Sequence, residues 1–127
     1  MNKKLLILIP SYNVEKFIKK VLYLIPKKLL KTNKVELLIV NDASTDNTLN
    51  IIKKIKKYKF KKKIITNKIN QGYGGVQKIG FNYAIKNNFD IVALLHGDGQ
   101  YKPQLLPKLI DPINKNLSEV VFGSRMI

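Results

Sequence analysis

The chain has 127 residues, 45% of them hydrophobic and 25% charged, which suits one compact domain with a modest core. It contains no cysteine, which excludes a disulfide framework, a thiolate metal site and a cysteine nucleophile. Its 24 basic and 8 acidic side chains give a net charge of +16, yet every basic residue except Arg125 is a lysine; the scarcity of arginine speaks against nucleic acid as a partner.

The predicted elements alternate along the chain. Lys4 to Pro10 is apolar, too short for a signal peptide and without a cleavage site, so it is a first strand. Ser11-Tyr12-Asn13 is a turn, and Asn13 or Ser11 is placed to cap a helix from about Glu15. Phe17, Ile18, Val21, Leu22 and Ile25 give that helix an apolar stripe, and Pro26 ends it. Val35 to Val40 is a second strand. Ser44 or Thr45 caps the next helix, which sets Leu49, Ile51, Ile52 and Ile55 against a lysine face. That face is either solvated surface or a contact for an anionic membrane, where each lysine contributes about 1 kcal/mol.

Lys63 to Thr66 is a short third strand, followed by a glycine- and asparagine-rich loop from Asn67 to Gly75. A helix is expected from Val76 to Lys86, with Ile79, Tyr83 and Ala84 inward. Ile91 to Leu95 is a buried fourth strand. Pro103 opens a helix at a position proline tolerates, with Leu105, Leu106, Leu109 and Ile110 as its buried face and Pro112 bending or ending it. Glu119 to Phe122 is a fifth strand, followed by Gly123-Ser124-Arg125. No segment approaches the roughly 20 apolar residues of a membrane span, so a cytoplasmic location is expected, at most peripheral at the inner face of a membrane.

Such alternation predicts an α/β domain with a mostly parallel sheet and helices on both faces. The C-terminal ends of its strands share one edge, where ligands bind. The first strand brings Pro10, Ser11, Tyr12 and Asn13 there, the second Asn41 and Asp42, the fourth His96 to Gln100, and the fifth Arg125. Asp98, held between two glycines, has two readings: an acid that caps a tight turn, or one that holds a divalent cation. Mg²⁺ typically uses only one or two carboxylates plus phosphate oxygens and water, a demand that Asp98 with the Gln100 amide oxygen satisfies. Asp42 is an acceptor for a base or ribose group, and Arg125 a forked donor for a phosphate. Those roles fit a nucleoside-diphosphate sugar whose cation stabilises the leaving diphosphate. His96, the sole histidine, rules out a histidine metal cluster. Gly72-Tyr73-Gly74-Gly75 lacks both the ending of a P-loop and the third glycine of the dinucleotide fingerprint.

Five segments match family motifs in order. Ile9-Pro10-Ser11-Tyr12-Asn13-Val14-Glu15 follows an I-P-x-Y-N-E opening with one inserted residue. Val40-Asn41-Asp42-Ala43-Ser44-Thr45-Asp46-Asn47-Thr48 follows V-D-D-G-S-x-D-G-T, and Asn70-Gln71-Gly72-Tyr73-Gly74 follows an N-x-G-x-G loop. His96-Gly97-Asp98-Gly99-Gln100 stands at a D-x-D-x-Q metal motif, and Gly123-Ser124-Arg125 at a G-S-R. Together they resemble the family-two glycosyltransferases of GT-A fold, in the dolichyl- or polyprenyl-phosphate mannosyltransferase-like branch, over nearly the whole chain. The resemblance implies a Rossmann-like nucleotide-diphospho-sugar transferase fold. In it Pro10, Tyr12, Glu15, Asn41 and Asp42 serve the nucleotide, Asp98 and Gln100 ligate Mg²⁺ or Mn²⁺, and Asp98 and Arg125 serve catalysis. It further implies transfer from GDP-mannose or a UDP-sugar to a polyprenyl or dolichyl phosphate or a glycan. Asn41 and His96 depart from the motifs by replacing acids. Family members continue with an acceptor-binding region, so these residues are expected to be the donor-binding part of a C-terminally truncated chain. The alternative to a transferase is then a non-catalytic nucleotide-sugar-binding module or half of a split enzyme.

Overall fold

Four strands, β1 (Lys3–Ser11), β2 (Asn33–Asp42), β3 (Lys61–Asn67) and β4 (Ile91–Leu94), form one parallel sheet in the order β3-β2-β1-β4. Helices α1 (Ile18–Leu24), α2 (Thr48–Lys54) and α3 (Gly72–Lys86) connect them, and α4 (Leu106–Asn114) follows β4. This computed structural model describes residues 2–118. The expected fifth strand and Arg125 lie outside the described residues.

Side chains alternate faces along a strand, and both faces of β1 and β2 are covered. Leu5, Ile7, Ile9, Leu37 and Ile39 pack with Ile18, Val21 and Leu22 of α1, Ile52 of α2, and Leu106 and Ile110 of α4. Leu6, Leu8, Leu38 and Val40 pack with Val76 and Ala84 of α3. Coverage from both sides is why these strands read as unbroken apolar runs. All nine of those strand residues have 0% exposure; each such burial contributes about 1.5–3 kcal/mol. The backbone of α3 comes close to β1 at Gly80, where a Cβ would collide with the Leu8 side chain.

The chain steps outward from β1 to β2 to β3, then returns through α3 to place β4 on the far side of β1. A reversal of this kind leaves a crevice beyond the ends of the two strands that flank it, here β1 and β4.

The helix starts differ from the sequence expectation. α1 begins at Ile18 rather than near Glu15, and no side chain caps it. Asn13 and Ser44 instead join the two loops to each other. Asn13 Oδ1 accepts from the Thr45 and Asp46 N–H groups at 2.8 and 3.3 Å, and Ser44 Oγ accepts from the Asn13 N–H at 3.0 Å. α2 starts at Thr48, whose N–H and hydroxyl both donate to Asp46 Oδ1, at 3.0 and 2.6 Å. Leu105 is 45% exposed, not buried, because a 3-10 turn (Pro103–Leu105) precedes α4 and its tighter winding rotates the apolar face onto Leu106 and Ile110. Pro112 lies inside α4, which continues past it to Asn114.

At the opposite edge of the sheet, lysines at the strand starts meet helix ends. Lys4 Nζ donates to Asn87 O at 2.7 Å and Lys3 Nζ to Ile113 O at 3.0 Å. Lys59 Nζ donates to Tyr23 O at 2.6 Å and Lys62 Nζ to Ile55 O at 2.9 Å. These cations sit where helix carbonyls and the negative end of the helix dipole favour them. Among the described residues no helix is long and apolar enough to cross a membrane.

Candidate functional site

A cleft of about 300 Å³ opens at the C-terminal edge of the sheet. β1 supplies Pro10 and Ser11, and the turn beyond it Tyr12 and Val14. β2 supplies Asp42. The loop after β3 and the start of α3 supply Asn70, Gly72, Tyr73 and Val76, and the turn after β4 supplies His96 and Asp98. Four of the expected site residues, Pro10, Tyr12, Asp42 and Asp98, therefore meet at one place.

Asp42 is 4% exposed and heavily bonded. Its Oδ1 accepts from the Gln71 N–H at 2.7 Å and from Asn67 Nδ2 at 2.9 Å, and its Oδ2 accepts from the Gly72 N–H at 3.0 Å. Asn70 Nδ2 donates to its carbonyl at 3.1 Å. Asp42 thus caps α3 from a different strand, which explains why α3 begins at Gly72 and not at Val76. A carboxylate has about four lone-pair sites, so one remains for a further donor. Ala43 follows at φ 61, a left-handed turn that carries the chain away from the cleft.

The turn after β4 is pinned to β1. Leu95 N–H donates to Leu8 O at 2.9 Å and Gly97 N–H to Pro10 O at 3.1 Å. A Cβ on Gly97 would stand 2.8 Å from Ser11 Oγ and 3.0 Å from Ile18 Cδ1. The space a side chain would need at Gly97 is taken by Ser11 of β1 and Ile18 of α1. Gly99 has φ +76, the conformation that glycine adopts freely. Asp98 Oδ1 accepts from the Gln100 N–H at 3.1 Å while the residue lines the cleft. The turn-capping reading of this aspartate is the one observed, with one carboxylate oxygen closing the turn. The His96 ring packs edge-on to Tyr73, 5.1 Å between centroids at 82°, and lies beside Tyr101 at 6.5 Å and 30°.

Other expected residues are placed elsewhere. Glu15 does not line the cleft; its Oε2 accepts from the Asn47 N–H at 3.2 Å. Its partner lies 32 residues away, and nothing local to the motif announces it. Asn41 is 2% exposed and closes the turn after β2, Oδ1 to the Ser44 N–H at 3.3 Å. Gln100 is exposed and offers Asp98 its backbone rather than lining the cleft. Conversely, Asn70 and Tyr73 stand in the cleft wall without having been singled out, although their loop was matched as a motif. Tyr12 and Tyr73, which line the cleft, are 51% and 65% exposed.

In a chain of net charge +16, the cleft is lined, among the described residues, by two carboxylates and by no lysine or arginine. Among the described residues no three His, Cys, Asp or Glu side chains come together, so the donor set does not make an all-protein metal cage. A single accessible carboxylate does fit a cation that is shared with a ligand's phosphates.

Residues 6–127 match glycosyl transferase family 2. The chain belongs to that family. It is 32% identical over 137 residues to the UDP-N-acetylglucosamine–dolichyl-phosphate N-acetylglucosaminyltransferase of Methanococcus voltae, covering 98% of this chain and 53% of that one. To the dolichol-phosphate mannosyltransferase of Pyrococcus furiosus it is 29% identical over 124 residues, covering 98% of this chain and 34% of the other. The structure of S. aureus TarS 1–349 in complex with UDP-GlcNAc superposes with a TM-score of 0.68 at 25% identity, covering 88% of this chain and 31% of that one. The GT-A architecture implied by the motifs is the one observed. The chain spans about half the length, or less, of these relatives.

Proposed function

We propose that this chain is the donor-binding part of a glycosyltransferase. It takes a sugar from a nucleoside-diphosphate sugar, GDP-mannose or a UDP-sugar, to a polyprenyl or dolichyl phosphate or a glycan, with Mg²⁺ or Mn²⁺ held at Asp98. The carrying observation is the pair of carboxylates, Asp42 and Asp98, meeting from two strand ends in a cleft that no basic side chain lines among the described residues. A diphosphate entering there meets like charge, and two unit charges about 4 Å apart repel by about 4 kcal/mol at an effective dielectric of 20. A cation at Asp98 removes that repulsion and, when bound, stabilises charge on the departing nucleoside diphosphate. Asp98 is oriented for this by the Gln100 N–H. Asp42 offers its remaining acceptor site to a base or ribose donor, and Tyr12 and Tyr73 offer ring faces for a base. Arg125, matched to the G-S-R motif, is assigned to the phosphates. The relatives named for dolichyl phosphate, and the similar structure that holds UDP-GlcNAc, support this reading. Exposed lysines add a peripheral contact with an anionic membrane to the proposal.

The test is thermal unfolding with GDP and UDP, each with and without Mn²⁺. A cognate nucleotide at 100 times its Kd stabilises by about 2.7 kcal/mol, and this gain is expected only when Mn²⁺ is present. Asp98→Asn is expected to abolish it. A nucleotide shift that persists unchanged in the variant removes the cation from Asp98.

A further inference from the structure

The lysine surplus is unevenly placed along the chain. No acidic residue stands between Glu15 and Glu36, nor between Asp46 and Asp90. The fold clamps these two acid-free stretches together. Tyr58 Oη donates to Leu22 O at 2.5 Å and Lys59 Nζ to Tyr23 O at 2.6 Å, so the linker after α2 lies against the end of α1. A 3-10 turn (Lys27–Lys31) follows α1 directly. Like charge is thereby gathered on one face, although it repels itself there more than it would if spread.

The same face puts out apolar side chains. In a 3-10 turn, residues three apart stand above one another. Leu29 is buried and fixes the turn, which leaves Lys28 and Lys31 in one row and Lys27 and Leu30 in the next. Leu30 is 39% exposed and Tyr23 54%. Lys27, Lys28 and Lys31 are exposed too, as are Lys56 and Lys57 of the linker. Among the described residues none of these five ammonium groups has an ion pair or a hydrogen bond. A soluble polyanion would answer the cations and leave Tyr23 and Leu30 in water. A neutral apolar partner would do the reverse. An anionic bilayer answers both, because its interface takes apolar side chains beside charged head groups and suits the amphipathic ring of tyrosine.

We propose that this face docks the chain on an anionic lipid bilayer, Tyr23 and Leu30 entering the interface while the lysines meet lipid phosphates. The proposal rests on the peripheral membrane contact read from the exposed lysines, and it names the face and the anchors of that contact. The lysines supply an attraction that salt screens, and the anchors supply one that salt does not. β2 and β3 start directly after the turn and the linker, so the face lies at the edge opposite the cleft, and a docked chain keeps its cleft open to water.

The experiment mixes the full chain with unilamellar vesicles of phosphatidylcholine, alone or with phosphatidylglycerol, and measures co-sedimentation. Duplex DNA is a separate arm. Binding is expected to the anionic vesicles, at least about tenfold tighter than to the neutral ones. The chain has no tryptophan, so Tyr23→Trp introduces a single indole, whose emission is expected to shift to the blue on anionic vesicles. Tyr23→Ser/Leu30→Ser and Lys28→Glu/Lys31→Glu are each expected to weaken vesicle binding about tenfold or more. Lys78→Glu/Lys86→Glu on α3 makes the same change of charge elsewhere and is expected to lose clearly less. Equal loss in that α3 pair, or an unshifted indole on bound vesicles with duplex DNA held as tightly, reduces the effect to net charge and overturns the proposal. Vesicle binding that the variants of this face leave unchanged refutes the face and keeps the wider membrane contact; absence of vesicle binding removes both. The Mn²⁺-dependent nucleotide shift is measured without vesicles, so the donor reading stands or falls separately.

Discussion

Asp42 ties the cleft to the helix behind it. Three donors converge on its carboxylate: the N–H groups of Gln71 and Gly72 and the Asn67 amide. Asparagine at this position has a single acceptor oxygen and places an NH₂ where a donor already stands. Each buried donor left unmet costs about 1–3 kcal/mol. Asp42→Asn is therefore expected to lose about 2 kcal/mol in urea unfolding and to speed amide exchange at Gln71 and Gly72 before the rest of α3. Unaltered exchange at those two amides would show that Asp42 does not cap the helix. The sequence made Asp42 and Asp98 visible because each follows a continuous apolar run, where a parallel sheet ends; the run before Asp42 is buried, but β4, expected to be buried, is only partly so, with Leu94 39% exposed at the end of the sheet. The sequence hid the second duty of Asp42, since the bonded amides lie 29 and 30 residues on. The placement of Glu15 was hidden for the same reason: its motif fixes its position along the chain, while its hydrogen bond to Asn47 fixes where it points.

Strands and faces were legible from the sequence, helix starts were not. A continuous apolar run marks a strand covered on both sides, and the odd and even residues of β1 and β2 do divide between the two cores. Caps were misjudged because Asn13, Ser44 and Asp42 serve loops other than their own. The seat of α3 on the sheet depends on Gly80, whose missing Cβ makes room for Leu8. Gly80→Ala is expected to destabilise by about 1–3 kcal/mol through overpacking. Adding Leu8→Ala should relieve part of that, so the double variant loses less than the two single losses added together; strict additivity would place the strain elsewhere. A polar contact joins the same two layers. Tyr83 Oη donates to Glu36 Oε1 at 2.8 Å. Burial, together with the hydrogen bond to Glu36 and its negative charge, holds the Tyr83 phenol up to about 12. A raised phenol favours the protonated folded form. Its contribution is complete below the ordinary tyrosine value of about 10 and is lost as pH rises through about 12. Following tyrosinate absorbance alongside unfolding should show Tyr83→Phe with a flatter alkaline decline than the parent; an identical decline would assign it to other groups.

At the scale of the molecule, charge is unevenly spread along the strand direction, although Glu36, Asp90 and Asp111 lie toward the lysine-rich edge and Lys16, Lys68 and Lys102 toward the cleft edge. Glu15, Asp42, Asp46 and Asp98 lie at the cleft edge, where strands end and helices begin. Burial raises the Asp46 carboxyl, but hydrogen bonds from Thr48 and the Glu15 N–H outweigh it and hold the group below its ordinary range. At the other edge, where helices end and strands begin, Lys27, Lys28, Lys31, Lys34, Lys53, Lys54, Lys56, Lys57, Lys61 and Lys86 are all exposed. Lys3, Lys4, Lys59 and Lys62 serve helix carbonyls there, so part of the lysine excess has a structural use. The exposed remainder repel one another, which destabilises the compact state. Salt screens such repulsion, with a Debye length of about 30 Å at 0.01 M and about 8 Å at 0.15 M. The unfolding midpoint in urea is therefore expected to rise with NaCl across that range at constant m. Lys53→Glu/Lys57→Glu should raise the low-salt midpoint and flatten its salt dependence, because it removes like charge from the crowded edge. Placing that edge on an anionic membrane would relieve the same repulsion while leaving the cleft open to a soluble nucleotide sugar. A midpoint that falls with salt, or a variant that is less stable at low salt, would mean that the lysines are held by partners rather than crowded, and the membrane contact would lose its driving force.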